Sequence, residues 1–408
     1  MFVTHARWIA PLGALMALAS CSLINAFDEV AELGSSSSGG LGGAGTGGGT
    51  GTGGGGGDVV QADPGLVVVG GKADDTVDVL VALSPQTGEE LARLEGTYSA
   101  AVHEAQRDVW FLIQGTEARA AKFNRRSNEW EYEGGAQTVT EVADPLHVFA
   151  LNGYLAILDG SFKLQVFDTS DLGSFEPKGE ADYPTGLWGA VGTPTSAGGE
   201  VHTISLSCPG APDFCDVLLA RIQIDASDVQ QFPPATIVDD VDTMEVGSEQ
   251  GSIAFNPTSN SVVAVVPGIG AAVTDVFLTS RSHTAIDSLT LTQYTAQPRL
   301  AAVDPCQSVV YVLGPLNQTM VAKALSSSAD NTEMNKAIGI TGQGLVYEPY
   351  TRSLILQQQS GNFTIDAWSI VGTETAPDLR KRLGGSWAPP TVRPTFLSVA
   401  NPRSPLCE

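Results

Sequence analysis

The residues able to do chemistry are unevenly supplied. The 408-residue chain holds 45 Asp and Glu against 21 Lys and Arg, five His and five Cys. His103, His147, His202 and His283 fall in separate stretches, at turns or within apolar runs, and His5 lies at the extreme N-terminus. No Gly-x-Ser-x-Gly nucleophile elbow is present. Carboxylate pairs for glycoside chemistry are available through abundance alone, and abundance is not a site. Asp168-Thr-Ser-Asp171 lacks the glycine and distal glutamate of an EF-hand, so it reads as a turn whose Asp and Ser side chains bond local backbone amides. The glycine-rich run up to Gly57 has no Gly-Lys-Ser/Thr ending and no flanking strand and helix, which removes a phosphate-binding loop. No catalytic, cofactor-binding or metal-ligating residue is assigned on these grounds, and no cofactor is expected.

The cysteines carry the clearest covalent chemistry. Cys208 and Cys215 flank Pro209-Gly-Ala-Pro-Asp-Phe214 and are expected to close that loop as a disulfide. The remaining pair, Cys306 and Cys407, would tie the sixth repeat to the chain end. No second Cys or His stands at zinc spacing.

The N-terminus places these thiols in an oxidising compartment. A short polar start with His5 and Arg7 precedes an apolar core from Trp8 to Ala19, too short to span a bilayer and expected to be cleaved. Its end, Leu18-Ala19-Ser20-Cys21, resembles the lipobox of bacterial lipoproteins. That resemblance implies a signal peptide over 1–20, diacylglyceryl and further fatty-acyl attachment at Cys21, and stable membrane anchoring by several chains. Ser22 stands where the family's inner-membrane retention signal has Asp, which implies the outer membrane. Residues 21–63 then form the anchor and a Gly/Ser/Thr-rich tether, with a mean reach of ~5 Å times the square root of its length. A formal net charge of -24 repels nucleic acid, and the densest basic run, Arg380-Lys381-Arg382, reads as a solvated turn.

From residue 64 to 408 the chain consists of short apolar runs punctuated by Gly, Pro, Asn and Asp, without 3.6-residue periodicity. One unit recurs: an apolar run, a turn opened by an acid or amide, and a second apolar run. It is clearest in Arg299 to Leu313 and returns at Ile253 to Val265, at Leu345 to Leu356 and, more faintly, at Ala100 to Leu112. Asn256 to Asp304 is 48 residues, Asp304 to Glu348 is 44 and Glu348 to Asn401 is 53, a spacing that marks a β-propeller. A third block centres on the hairpin signal Asn152-Gly153. The fourth, beginning near Leu187, is the longest, because Cys208 to Cys215 and Val238 to Gln250 are expected to add loop. The first block lacks a leading strand, whereas Thr395 to Ser404 is a spare one. The expected fold is therefore all-β, with seven blades of four antiparallel strands and a C-terminal strand that completes the blade begun near Leu66. Eight blades, or six with the fourth block as an insertion, are the alternatives.

The Asn-Pro and Asp-Pro turns between apolar runs, together with Ala82-Leu-Ser-Pro-Gln-Thr-Gly-Glu-Glu-Leu91, resemble the propeller superfamily of YVTN-type and quinoprotein-type repeats. Leu91 and Leu94 stand where quinoprotein repeats place a docking tryptophan, so a quinone cofactor is not implied. Propeller geometry puts the turn of the repeated unit on one face. The opposite face receives the longer features with Asp74, Asp75, Asp78, Asp213, Phe214, Asp239, Asp240, Asp242 and Glu245, a candidate interaction surface. The expected function is a monomeric, membrane-anchored binding or scaffold module for an envelope or extracellular partner, protein or polysaccharide. The alternative is an exported lyase or hydrolase acting on polysaccharide in the central channel.

Overall fold

The structure, a computed structural model, describes residues 65–73, 77–139, 145–161, 163–183, 186–211, 214–242, 251–267, 274–284, 286–291, 300–313, 319–326, 333–339, 342–358, 365–382, 392–401 and 407. The signal segment, Cys21 and the tether lie outside these residues. Seven antiparallel sheets of the expected kind are present. Blade 2 consists of β4 (Ala100–Glu104), β5 (Val109–Gln114), β6 (Glu117–Asn124) and β7 (Glu129–Tyr132), with the short β8 (Gln137–Thr138) added beside β6. Blade 3 runs β9 (His147–Leu151) to β12 (Glu176–Asp182), and blade 4 runs β13 (Leu187–Thr195) to β16 (Val229–Asp242). Blade 5 spans β17 (Ser252–Asn256) to β20 (Ile286–Leu291), blade 6 spans β21 (Leu300–Asp304) to β24 (Met334–Ala337), and blade 7 spans β25 (Gly342–Glu348) to β28 (Leu379–Lys381).

Blade 1 is shared by the two ends of the domain. Its order is β29 (Val392–Val399), β1 (Val67–Ala73), β2 (Val77–Leu83) and β3 (Glu90–Glu95). Val67 faces Val399 and Val69 faces Leu397 in the closing pair. The first strands of successive blades neighbour one another around the whole ring, β29 beside β4 on one side and β25 on the other. These inner strands are buried along their length, as in Ala100–Glu104 and His147–Leu151. Their side chains and those of the second strands merge into cores that bridge adjacent blades, with Trp110, Phe111, Phe149, Phe255 and Tyr311 among the largest fully buried groups. Closure leaves the inner strand of every blade paired and covered.

The repeated turn has one local design. Asn256 Oδ1 accepts the backbone N–H groups of Thr258 and Ser259 at 3.0 and 3.4 Å, Asp304 Oδ1 accepts that of Cys306 at 3.0 Å, and Glu348 accepts those of Tyr350 and Thr351 at 3.0 and 2.8 Å. The residue that closes the turn is left-handed in each copy, at Asp108 (φ 54°), Asn260 (52°), Ser308 (51°) and Arg352 (47°). Asp168-Thr-Ser-Asp171 is a turn of the expected kind, its carboxylates accepting the N–H groups of Ser170 and Gly173, each at 2.8 Å.

The turn also joins each blade to the next, a role that local turn chemistry does not predict. Asn401 N–H donates to His103 Nδ1 at 3.0 Å between blades 1 and 2, and His103 is held in turn by Asp108 at 2.9 Å. Gly153, left-handed at φ 78°, directs its N–H to Glu104 at 3.5 Å between blades 2 and 3. Asn152 bonds the backbone of Thr195 and Gly198 in blade 4, and Asn256 Nδ2 donates to Ser308 Oγ at 3.2 Å between blades 5 and 6. Arg352 reaches back from blade 7 to the fully buried Asp304 at 2.9 Å. The ring closes on Gly65, where a Cβ would lie 2.5 Å from Glu348 Oε1, so a side chain there would force blades 7 and 1 apart.

Blade 4 departs from the expectation. Residues 208–211, 214–215 and 238–242 are strand, not added loop. β14 (Gly198–Ala211), β15 (Phe214–Asp225) and β16 are 14, 12 and 14 residues long, while β13 pairs only as far as Ser205. The Pro209-Gly210 and Pro233-Pro234 pairs mimic loop composition, yet each sits in a pleated strand whose ladder contains bulges. Beyond β13 the three strands continue as a ribbon, with Ser207–Ala211 alone adding roughly 17 Å at ~3.3 Å per residue. The expected Cys208–Cys215 disulfide ties its two inner strands.

Candidate functional site

Two places on the ring bear on function, and one is the candidate face expected from the sequence. The other forms where blade 4 meets blade 5. Alternation along β14 puts Glu200 and His202 on one face, and the register sets Arg221 of β15 opposite His202. The turn after β19 (Thr274–Ser280) adds Arg281 and His283, the latter left-handed at φ 57°. His202 Nδ1 lies 3.0 Å from His283 Nε2, and His202 Nε2 lies 3.3 Å from Thr193 Oγ1 and 3.4 Å from Glu200 Oε2. Arg221 Nη1 is 3.4 Å and Arg281 Nε 4.0 Å from the Glu200 carboxylate. Arg281 also donates to Pro194 O at 3.0 Å, which makes this cluster the blade 4 to blade 5 equivalent of the turn contacts elsewhere.

Burial opposes ionisation of Glu200, but its hydrogen bond from His202 and the two arginines outweigh this and hold the carboxyl below its usual range. Burial drives His202 downward, and Arg281 and Arg221 add to the shift against the opposing pull of Glu200. His283 is lowered to about 3 by burial, by His202 and by Arg221. A neutral imidazole pair follows, one ring donating to the other. Thr193 beside His202 has the composition of a nucleophile and base, but both residues are wholly buried, so no substrate carbonyl reaches them. The cluster is an electrostatic joint. The sequence hid it because His202 and His283 are 81 residues apart on different blades.

His147 shares this sensitivity to acid. Burial alone lowers it to about 4, against a stacked Phe149 ring 6.1 Å away. The unfolded chain takes up this proton as pH falls through ~6.5 whereas the folded chain does not, so stability is lost from ~6.5 downward and the loss is complete below the folded value. His147 alone is expected to contribute about 3 kcal/mol to this loss. Urea unfolding at pH 7 and pH 4 checks it: His147→Phe is expected to lose less stability on acidification than the parent. Equal losses would remove His147 from the account.

The second place is the face opposite the repeated turns. Asp78 opens β2 there, accepts a hydrogen bond from Thr97 Oγ1 at 2.7 Å and pairs with Lys72 at 3.8 Å. Asp239 is exposed on β16, while Asp240, Asp242 and Phe214 are described only as backbone positions in the ribbon strands. Asp74, Asp75, Asp213 and Glu245 lie outside the described residues. Asp78 belongs to blade 1 and the rest of the described set to blade 4, so the ring separates them by three blades. What the structure gathers is the ribbon end of blade 4. Among the described residues, no group of three His, Cys, Asp or Glu side chains has the geometry to hold a metal ion.

No family model matches the sequence, and no curated protein matches it. Solved structures do match by shape. A Bacteroides fragilis protein provisionally called a 6-phosphogluconolactonase aligns over 84% of this chain and 100% of its own, at 13% identity and a TM-score of 0.57. A Lactobacillus plantarum protein aligns over 82% and 99%, at 11% identity and 0.55. The chain shares their propeller fold. A Desulfotomaculum acetoxidans protein of unknown function adds a third example, over 83% and 99% at 12% identity and 0.54. Identities this low speak to the ring and not to its chemistry.

Proposed function

We propose that this protein is an exported, lipid-anchored binding module that presents the ribbon of blade 4 to a protein or polysaccharide of the cell envelope. The observation that carries the reading is the ribbon itself. Three strands run on past the ring, joined by Cys208–Cys215, although ring closure uses none of that added length. Its outer strand carries the exposed Asp239. The repeated turns of the opposite face carry contacts that hold blades together, whereas the added length of the ribbon takes part in none of those turn contacts. Acylation at Cys21 and the glycine-rich tether would hold the domain at the outer membrane with freedom to orient that face.

Photocrosslinking in intact cells tests the reading. A photoreactive residue at Asp239 is expected to give a discrete adduct, whereas one at the exposed Glu129, on the opposite side of the ring, gives none. Cys21→Ser is expected to move the protein from the membrane to the soluble fraction and to weaken the adduct. Equal adducts at both positions, or none at Asp239, would sink the proposal.

A further inference from the structure

A cleft of about 420 Å³ opens between blades 5 and 6 on the turn face, within the range of small-molecule sites. Its walls are made by the repeated unit. The turn from β17 into β18 (Ser261–Pro267) supplies Asn260 and the first residue of β18, Ser261, the end of β19 supplies Ser280, and the turn from β21 into β22 (Val309–Leu313) supplies Ser308. Asn260 and Ser308, both with left-handed backbone, line it. On the blade 5 wall the Ser259 and Ser261 hydroxyls lie 2.6 Å apart, and they and Ser280 are able both to donate and to accept. Leu278 and Leu325 give the cleft an apolar floor.

Two carboxylates complete it, Asp287 from β20 and Glu374 reaching across from blade 7, and among the described residues no Lys, Arg or His lines it. Thr279, which also lines the cleft, is 3% exposed, and its hydroxyl has no hydrogen-bond partner among the described residues. Buried hydroxyls without partners are uncommon and call for a water or ligand nearby.

We propose that this cleft binds a short neutral saccharide. Serine and asparagine side chains can match a sugar's hydroxyls as donors and acceptors, a carboxylate can accept from two adjacent hydroxyls, and the leucines suit the apolar face of a pyranose ring. The carboxylates, with no cation among the described lining residues, select against phosphorylated or uronic-acid ligands. The site is on the face opposite the blade 4 ribbon and does not depend on the ribbon's role.

Saturation-transfer NMR on the full-length protein tests the proposal with maltotriose, cellotriose, chitotriose and the anionic trigalacturonate as probes. At least one neutral trisaccharide is expected to bind, and trigalacturonate is not. Asp287→Ala and Ser280→Trp, both at exposed positions, are expected to weaken that binding by roughly tenfold or more with an unchanged thermal midpoint. The absence of binding by all three neutral probes, preference for trigalacturonate, or full binding by both variants would overturn it. Disruption of the ribbon by Cys208→Ser with Cys215→Ser is expected to leave saccharide binding intact, which separates this site from the ribbon.

Discussion

Replacing Cys306 and Cys407 together by serine is expected to lower stability by about 4 to 5 kcal/mol, the chain-entropy value for a loop of ~100 residues. The bridge spans 101 positions and encloses the last three strands of blade 6, all of blade 7 and the closing strand β29. Removing it frees the part of the unfolded chain that must return to β1. Cys208 and Cys215 are only 7 positions apart, so the same argument gives about 2.5 kcal/mol at most. Because that bridge lies in the ribbon outside the ring, much of even this value is expected to appear as local opening and not global unfolding. Urea unfolding of both double-serine variants, compared with the parent under oxidising conditions, checks the ordering. Equal losses would contradict the assignment of Cys306–Cys407 to ring closure.

Arg352→Met is expected to cost about 3 kcal/mol or more, because it leaves the Asp304 carboxylate buried without its cation. Asp304 cannot turn to solvent, since its other oxygen already accepts the Cys306 N–H. The neutral double variant Asp304→Asn with Arg352→Met is expected to recover a large part of the loss. A double-mutant cycle by chemical denaturation measures both. Additive losses across the cycle would show that the pair does not act as a joint between blades 6 and 7.

Much of this architecture was legible because one physical unit is written repeatedly. An acid or amide that caps its own turn between two apolar runs leaves the same trace at Asn256, Asp304 and Glu348. Its truncated copy near Asn401, set against the missing leading strand at Leu66, exposed the closing pair. The ribbon was not legible, because Pro209-Gly210 and Pro233-Pro234 read locally as loop and only pairing across three strands makes them sheet. The Glu200, His202, Arg221, Arg281 and His283 joint was hidden for a different reason. Its members have no spacing in common, and they meet only when blade 4 packs on blade 5. The contact from Arg352 to Asp304 is likewise non-local, so Asp304 showed its turn-capping half and concealed its role between blades. The cleft between blades 5 and 6 left no trace either, since serines beside turns are ordinary until two blades set them face to face.

The shared first blade also has a consequence for how the chain is made. The inner edge of β1, Val67 to Ala73, is among the earliest parts of the domain to be synthesised, and its partner Val392 to Val399 is among the last. Until the ribosome has released β29, that apolar edge has no native strand to pair with, and any product truncated before β29 carries it uncovered. Export of the unfolded chain through a secretion channel would postpone the problem to the destination compartment, where β29 arrives together with the oxidising conditions that can lock it in place.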